Sequence, residues 1–202
     1  MRLLPLVLSA HASGFNPGPG FGPPENGAGS RSCQFCGLET AGWQERFHLN
    51  GNHDDESGAN IVSACVLCHL CQHLERWSID QEAIVIWLPE LTQGAVIALA
   101  RDAHRRLAAR GESPCLERRL GSQHGDVLAA QNAFMALKER ADAAFARLGT
   151  TSPRDLGAAF LGLPPESYAR REKLLGGLRL LPLGRLLRGG RDVYPALLSE
   201  LP

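Results

Sequence analysis

Apolar positions recur along the chain with more than one period. Val127, Ala130, Phe134, Leu137, Ala141, Phe145 and Leu148 step by three or four, an apolar stripe that predicts one helix over residues 125–148. Gly149 supplies its C-terminal stop. Upstream, Thr92 reads as the N-cap of a helix reaching about residue 110. Its hydroxyl can accept from the Ala95 N–H, with Leu91 and Val96 flanking it as a hydrophobic staple. The run IVIWLPEL, residues 84–91, is of strand type, and Pro89 ends it. Ser152-Pro153-Arg154-Asp155 joins a capping serine, a proline at the first helical position and an acid at the third, which predicts a short helix closed by Pro164-Pro165. Further helices are expected near 166–175 and 192–201, and the apolar run LRLLPLGRLL between them is left unassigned.

The N-terminal region follows neither period. Residues 14–31 are dense in glycine and proline and read as a linker or surface loop. The opening MRLLPLVLSAHA has the outline of a signal peptide, with Arg2, a short apolar run and Ala-His-Ala. Pro5 interrupts that run and one charge precedes it, so a short strand is the expectation. No run approaches the ~20 apolar residues of a membrane span.

Composition adds a boundary. An apolar fraction of 44% and a charged fraction of 21% are those of a folded globular chain. The formal net charge of zero hides an asymmetry. Residues 1–100 carry 4 Arg and 10 acids, net −6, while residues 101–202 carry 17 Lys or Arg and 11 acids, net +6. The acidic half has the wrong sign for gripping phosphates, so nucleic acid is not the expected partner; the basic half would suit an acidic one or be solvated helix faces.

The acidic half contains the chemistry. Four of the six cysteines form two C-x-x-C pairs, CQFC at 33–36 and CVLC at 65–68, with 28 residues between them. Each pair makes a tight knuckle with converging sulfurs, and two knuckles complete a tetrahedron around zinc. Cys33, Cys36, Cys65 and Cys68 are therefore the expected ligands of one structural Zn²⁺ with no open position. Cys71 could replace Cys65 but is expected to pack as a small apolar side chain, and Cys115 to be incidental.

Between the knuckles, FHLNG at 47–51, Asn60 and C-x-x-C-H at 65–69 resemble the zinc-ribbon version of the HNH (ββα-metal) nuclease fold. That resemblance implies a hairpin between the knuckles and a helix after the second. By position, His48 would be the general base, Asn60 the loop-orienting residue, and His69 and His73, four apart on one helix face, the helix ligands of a catalytic metal. Phe47 stands where the first metal-binding histidine belongs and has no lone pair to donate, so the chemistry is expected to be lost. His48, His53, His69 and His73 have an ordinary alternative as caps and backbone donors beside a knuckle.

A more particular resemblance extends over residues 32–182. SCQFCG, ANIVSACVLCHLCQ, WLPELTQGAVIAL and LRLLP, in that order and spacing, are similar to the IcmJ (DotN) family of Dot/Icm-type (IVB) secretion systems. The family implies a noncatalytic HNH-like zinc fold, located in the cytoplasm at the inner face of the inner membrane. It also implies docking on the C-terminal extension of the coupling ATPase DotL, beside DotM and the adaptor pair IcmS–IcmW, where effector proteins are gathered for export. Residues 14–31 depart from the family, which has a longer and more basic segment there.

The expected architecture is α+β: residues 1–31 as strand and loop, 32–90 as the zinc-binding HNH-like module, and 91–202 as a helical region packed on it. Trp87 and Leu88 are the candidate surface for the ATPase tail, with Trp87 as a core residue on the 125–148 helix as the alternative. The rival functions are an HNH-type metal-dependent DNA endonuclease using His48, Asn60, His69 and His73, and a zinc-ribbon nucleic-acid-binding module.

Overall fold

Two short antiparallel ribbons organise the molecule, one carrying the cysteine knuckles and the other separating two hydrophobic cores. The structure, a computed structural model, describes residues 2–11, 32–40, 42–118, 121 and 124–201. The predicted linker at 14–31 lies outside the described residues.

The first ribbon is β1 (Gln44–His48) paired with β2 (Ile61–Cys65), in register from Gln44 opposite Cys65 to His48 opposite Ile61. The chain leaves β2 through the helical turn α1 (Val66–His69) and a 3-10 turn, Leu70–Gln72. The helix therefore stops before His73, whose extended φ of −128° places it outside. The expectation that His69 and His73 share one helix face is thus corrected, although their rings remain neighbours.

A short helix α2 (Ile79–Glu82) leads into β3 (Ala83–Trp87). Its partner is the stretch left unassigned in sequence, β4 (Leu178–Pro182), with Val85 opposite Leu180 and Trp87 opposite Leu178. Both faces of this ribbon are covered, which is why its sequence is apolar without alternation. Ala83, Val85, Leu178 and Leu180 point into a core shared with the knuckles and the C-terminal helix, and Ile86, Leu88 and Leu181 into a second core under the central helices.

Those helices are α3 (Gln93–Ala108), α4 (Gly125–Lys138) and α5 (Ala141–Leu148). Thr92 caps α3 as predicted, its hydroxyl accepting from Ala95 N at 3.2 Å. The single helix expected over 125–148 is two, broken at Glu139-Arg140. The carbonyl of Arg140 there accepts the Trp87 N–H at 3.1 Å, so the bend ties this helix pair to the edge of β3. The apolar stripe shifts within α5: Val127, Ala130, Phe134 and Ala141 are buried, whereas Phe145 is 58% exposed and Ala144 faces inward in its place.

Gly149, in the left-handed conformation at φ 73°, ends α5. Helix α6 (Pro153–Leu161) starts on the predicted cap, with Ser152 Oγ accepting from Asp155 N at 3.0 Å. The helix expected at 166–175 is two short ones, α7 (Pro165–Ala169) and α8 (Arg171–Leu174). After β4 come the small hairpin β5 (Leu187–Arg188) and β6 (Arg191–Asp192), then α9 (Tyr194–Ser199).

The opening segment is not a strand. Its hydrogen bonds are scattered, Leu4 N to Gln34 O, Ser9 N to Cys71 O and Leu74 N to Ser9 O, and no ladder forms. It is nevertheless packed in, with Leu8, Ser9 and Ala10 buried.

Candidate metal centre and the surrounding histidines

The first knuckle closes through Cys33 N to Leu38 O at 2.8 Å and Gly37 N to Cys33 O at 2.9 Å. Gly37 takes φ 73°, a conformation natural to glycine. The second knuckle is the corner where β2 becomes α1, with Cys65 at the last strand position and Cys68 inside the turn. Gln34 N donates to Ser63 O at 2.9 Å and stitches the two corners together.

This brings the predicted set to one point: the sulfurs of Cys33, Cys36, Cys65 and Cys68 all lie within 4.8 Å of one another. Cys36 Sγ and Cys65 Sγ are 3.7 Å apart, close to the ~3.8 Å between sulfurs of a tetrahedron with Zn–S bonds of about 2.3 Å. Hydrogen bonding with Cys33 and Cys36 drives the Cys65 thiol well above the ordinary value and burial does the same to Cys68, while hydrogen bonds with Cys33, Cys65 and Cys68 lower that of Cys36. Four thiolates cannot share so small a volume without a cation. A dication at the centre lets all four ionise, so the donor set fits one soft-ligand metal ion.

A residue not singled out in sequence completes the surroundings. Arg101 on α3 directs Nη1 to Cys36 Sγ at 3.2 Å, and Cys36 is the least buried of the four. Helix α3 can approach this closely because Gly94, seven residues earlier on the same face, lies against the Phe35 carbonyl where any Cβ would overlap. Gln93 beside it binds β4 through both amide atoms, Nε2 to Leu180 O and Oε1 from Leu180 N, each at 2.8 Å. The TQG of the family-like motif thus has three separate structural tasks: cap, sheet edge and close approach. Cys71 is fully buried in the core and Cys115 half-buried away from the sulfur cluster.

Beside the knuckles lies a group of histidines. Phe47 packs on Phe35 and His69, at centroid separations of 4.6 and 5.7 Å. Nδ1 of His69 donates to Glu45 Oε2 at 2.8 Å, and Nδ1 of His73 to Glu75 Oε1 at 2.9 Å. His48 is buried at the end of β1, with Nε2 at 3.7 Å from Glu56 Oε1. Asn60 pins the 49–60 loop, its Oδ1 accepting from Asn50 N at 2.9 Å and its Nδ2 donating to Asp55 O at 2.8 Å. Desolvation lowers His11, His48, His53 and His73 alike, holding all four imidazoles neutral near pH 7.

The candidate partner residues fall in different settings. Leu88 is buried in the second core. Trp87 is half-buried, with the Arg147 guanidinium 4.2 Å from its ring centroid and Gly177 against the ring's far edge. Its neighbour is the α5 end of the helix pair, and of the two residues it alone offers surface.

The resemblance carried by the sequence motifs is borne out by comparison with known proteins. Over 155 residues, 75% of this chain, the sequence is 28% identical to the Type 4 apparatus protein DotN of Legionella pneumophila. The aligned stretch spans 66% of that relative's length, just short of two thirds. No family model matches the chain.

Proposed function

We propose, with the similarity to DotN as premise, that this chain is a noncatalytic structural and adaptor subunit of a type IVB secretion coupling complex. In this reading it docks on the C-terminal extension of a DotL-like coupling ATPase at the cytoplasmic face of the inner membrane. DotM-like and IcmS–IcmW-like subunits sit beside it, and the assembly recruits effectors for export. The observation that carries the proposal is the 28% identity to DotN over three quarters of the chain.

Zinc is the folding cofactor in this reading, held by Cys33, Cys36, Cys65 and Cys68. When bound it supplies structure alone, since four thiolates leave no position for water or substrate. The HNH-like hairpin and turn then serve as a scaffold. Phe47 supports the loss of nuclease chemistry: at the position where the HNH resemblance calls for a metal-binding histidine it offers an apolar ring, packed at a tilt on Phe35, with no lone pair to donate. Among the described residues no helix is long and apolar enough to cross a membrane.

The test is binding of the purified chain to a synthetic C-terminal tail of the coupling ATPase from the same cell. Saturable binding, reduced by Trp87→Ala with an unchanged melting point, supports the reading and the Trp87 surface. Absence of binding, together with plasmid nicking in Mg²⁺ or Mn²⁺ that disappears in His48→Ala, would replace it with the nuclease.

A further inference from the structure

On the helical surface, Arg105 and Arg106 pair with Asp102, and Arg110 with Asp126. Arg171 and Arg179 have no such carboxylate. Arg171 donates from Nε to the Leu8 carbonyl at 2.9 Å and from Nη1 to the Tyr168 carbonyl at 3.0 Å. Arg179 donates from Nε to the Leu91 carbonyl at 2.6 Å and from Nη1 to the Leu178 carbonyl at 2.7 Å. Backbone thus holds both guanidiniums in place, and Nη2 of each has no partner among the described residues. Burial lowers the Arg179 pKa, and the attraction of Glu172 does not restore it. A partly desolvated cation in that state favours an anion brought in from outside.

Both arginines line one groove of about 240 Å³. Its floor is apolar, made by the buried Phe160 and Leu178, and residues 5–8 of the opening segment form one wall. Glu172 is the one carboxylate among the described lining residues, and it is exposed. The volume falls below the about 300–1,000 Å³ of ordinary small-molecule pockets. It suits a few side chains of a peptide laid along the surface better than an enclosed metabolite.

The opening segment offers backbone as well as side chains here. Ser9 gives both of its backbone groups to the knuckle side, donating to Cys71 O at 2.9 Å and accepting from Leu74 N at 3.1 Å. The Leu8 carbonyl is taken instead by Arg171 in the groove. The N–H groups of Leu6, Val7 and Leu8 have no hydrogen-bond partner among the described residues. Unpaired N–H groups beside a groove are the feature on which an extended peptide adds itself as a strand. Water can satisfy those N–H groups, but it leaves two cations without a counter-charge. A carboxylate supplies that charge in the fork geometry a guanidinium prefers.

We propose that this groove docks an extended segment of another protein that pairs its backbone with residues 6–8, sets apolar side chains on Phe160 and Leu178, and places carboxylates at Arg171 and Arg179. Only alternate side chains of an extended segment face one side. The segment therefore carries its acidic and apolar residues two positions apart.

The experiment titrates a fluorescein-labelled heptapeptide with the full zinc-loaded chain and follows fluorescence polarisation. The peptide has glutamate at its first and fifth positions, leucine at its third and seventh and serine between, with both ends blocked. Saturable binding is expected, weakening as salt is raised and at least tenfold weaker when glutamine replaces glutamate. Amide hydrogen exchange, read residue by residue by NMR, should slow within residues 6–8 on binding. Arg179→Gln should weaken binding at least tenfold with an unchanged melting point. Should that variant unfold, Leu6→Glu replaces it: a carboxylate on the wall repels the peptide and should abolish binding. None of these outcomes depends on the ATPase tail. Absence of saturable binding overturns the proposal, as do equal affinities for the glutamate and glutamine peptides and undiminished binding in the folded variant. Exchange that slows only outside residues 6–8 also overturns it. So does binding of laurate to a groove that refuses the peptide, which would make the ligand a small carboxylate.

Discussion

Arg101→Leu should loosen zinc without unfolding the chain. The guanidinium lies 3.2 Å from Sγ of Cys36, the least buried of the four cysteines. A zinc ion with four thiolates carries a net charge of −2, and Arg101 is the cation that donates to this cluster. A hydrogen bond between charged groups is worth about 1.5–3 kcal/mol. Substitution of an outer-shell partner lowers metal affinity by about ten- to a hundred-fold. The two ranges agree, since each tenfold is about 1.4 kcal/mol. Leucine is smaller than the arginine it replaces and keeps the apolar part of the contact, so the change falls mainly on charge. Competition for zinc against a chromophoric chelator at fixed pH measures it. The pH dependence gives a second readout with a defined sign. Protons compete with zinc for the thiolates, and loss of the neighbouring cation raises the Cys36 pKa, so on acidification the variant should release zinc at a higher pH than the parent. Arg101→Lys, which keeps the charge and loses the planar donor, should fall between. A Leu variant with the parent's zinc affinity and release profile would refute the role of Arg101.

Three further outcomes are expected. Gly94→Ala should lower the melting point by several degrees, at about 1–3 kcal/mol for a forced shift and ~2–4 °C per kcal/mol in a chain of this size, because its Cβ would overlap the Phe35 carbonyl; Gly58→Ala, with open space around it, is the neutral control. Glu82→Ala should cost about 3–5 kcal/mol in urea denaturation, since the carboxylate is fully buried and holds Arg76 Nε at 2.9 Å, Ser78 Oγ at 2.9 Å and Leu187 N at 2.6 Å. Cys68→Ser should abolish zinc binding measured by elemental analysis, whereas Cys71→Ser should keep one equivalent; loss of metal in the Cys71 variant would reassign the ligands.

What the sequence determined by itself is local chemistry. Two C-x-x-C pairs specify a four-sulfur cluster because each knuckle is closed within a few residues. Thr92, Ser152 and Gly149 specify helix ends because a cap acts on the neighbouring turn. Tertiary structure decided whatever depends on a partner far along the chain. LRLLP became a strand because β3 offered it an edge, at a separation of about a hundred residues that no periodicity encodes. The 125–148 helix broke at Arg140 because the carbonyl there meets Trp87, and helical propensity is too weak to resist a fixed tertiary contact. Arg101 carried no motif of its own; only the close approach of α3, permitted by Gly94, brings it to Cys36. The meeting of His11, His53 and His73 is of the same kind: three histidines in three segments, made one group because the opening segment is laid across the hairpin and knuckles rather than paired as a strand.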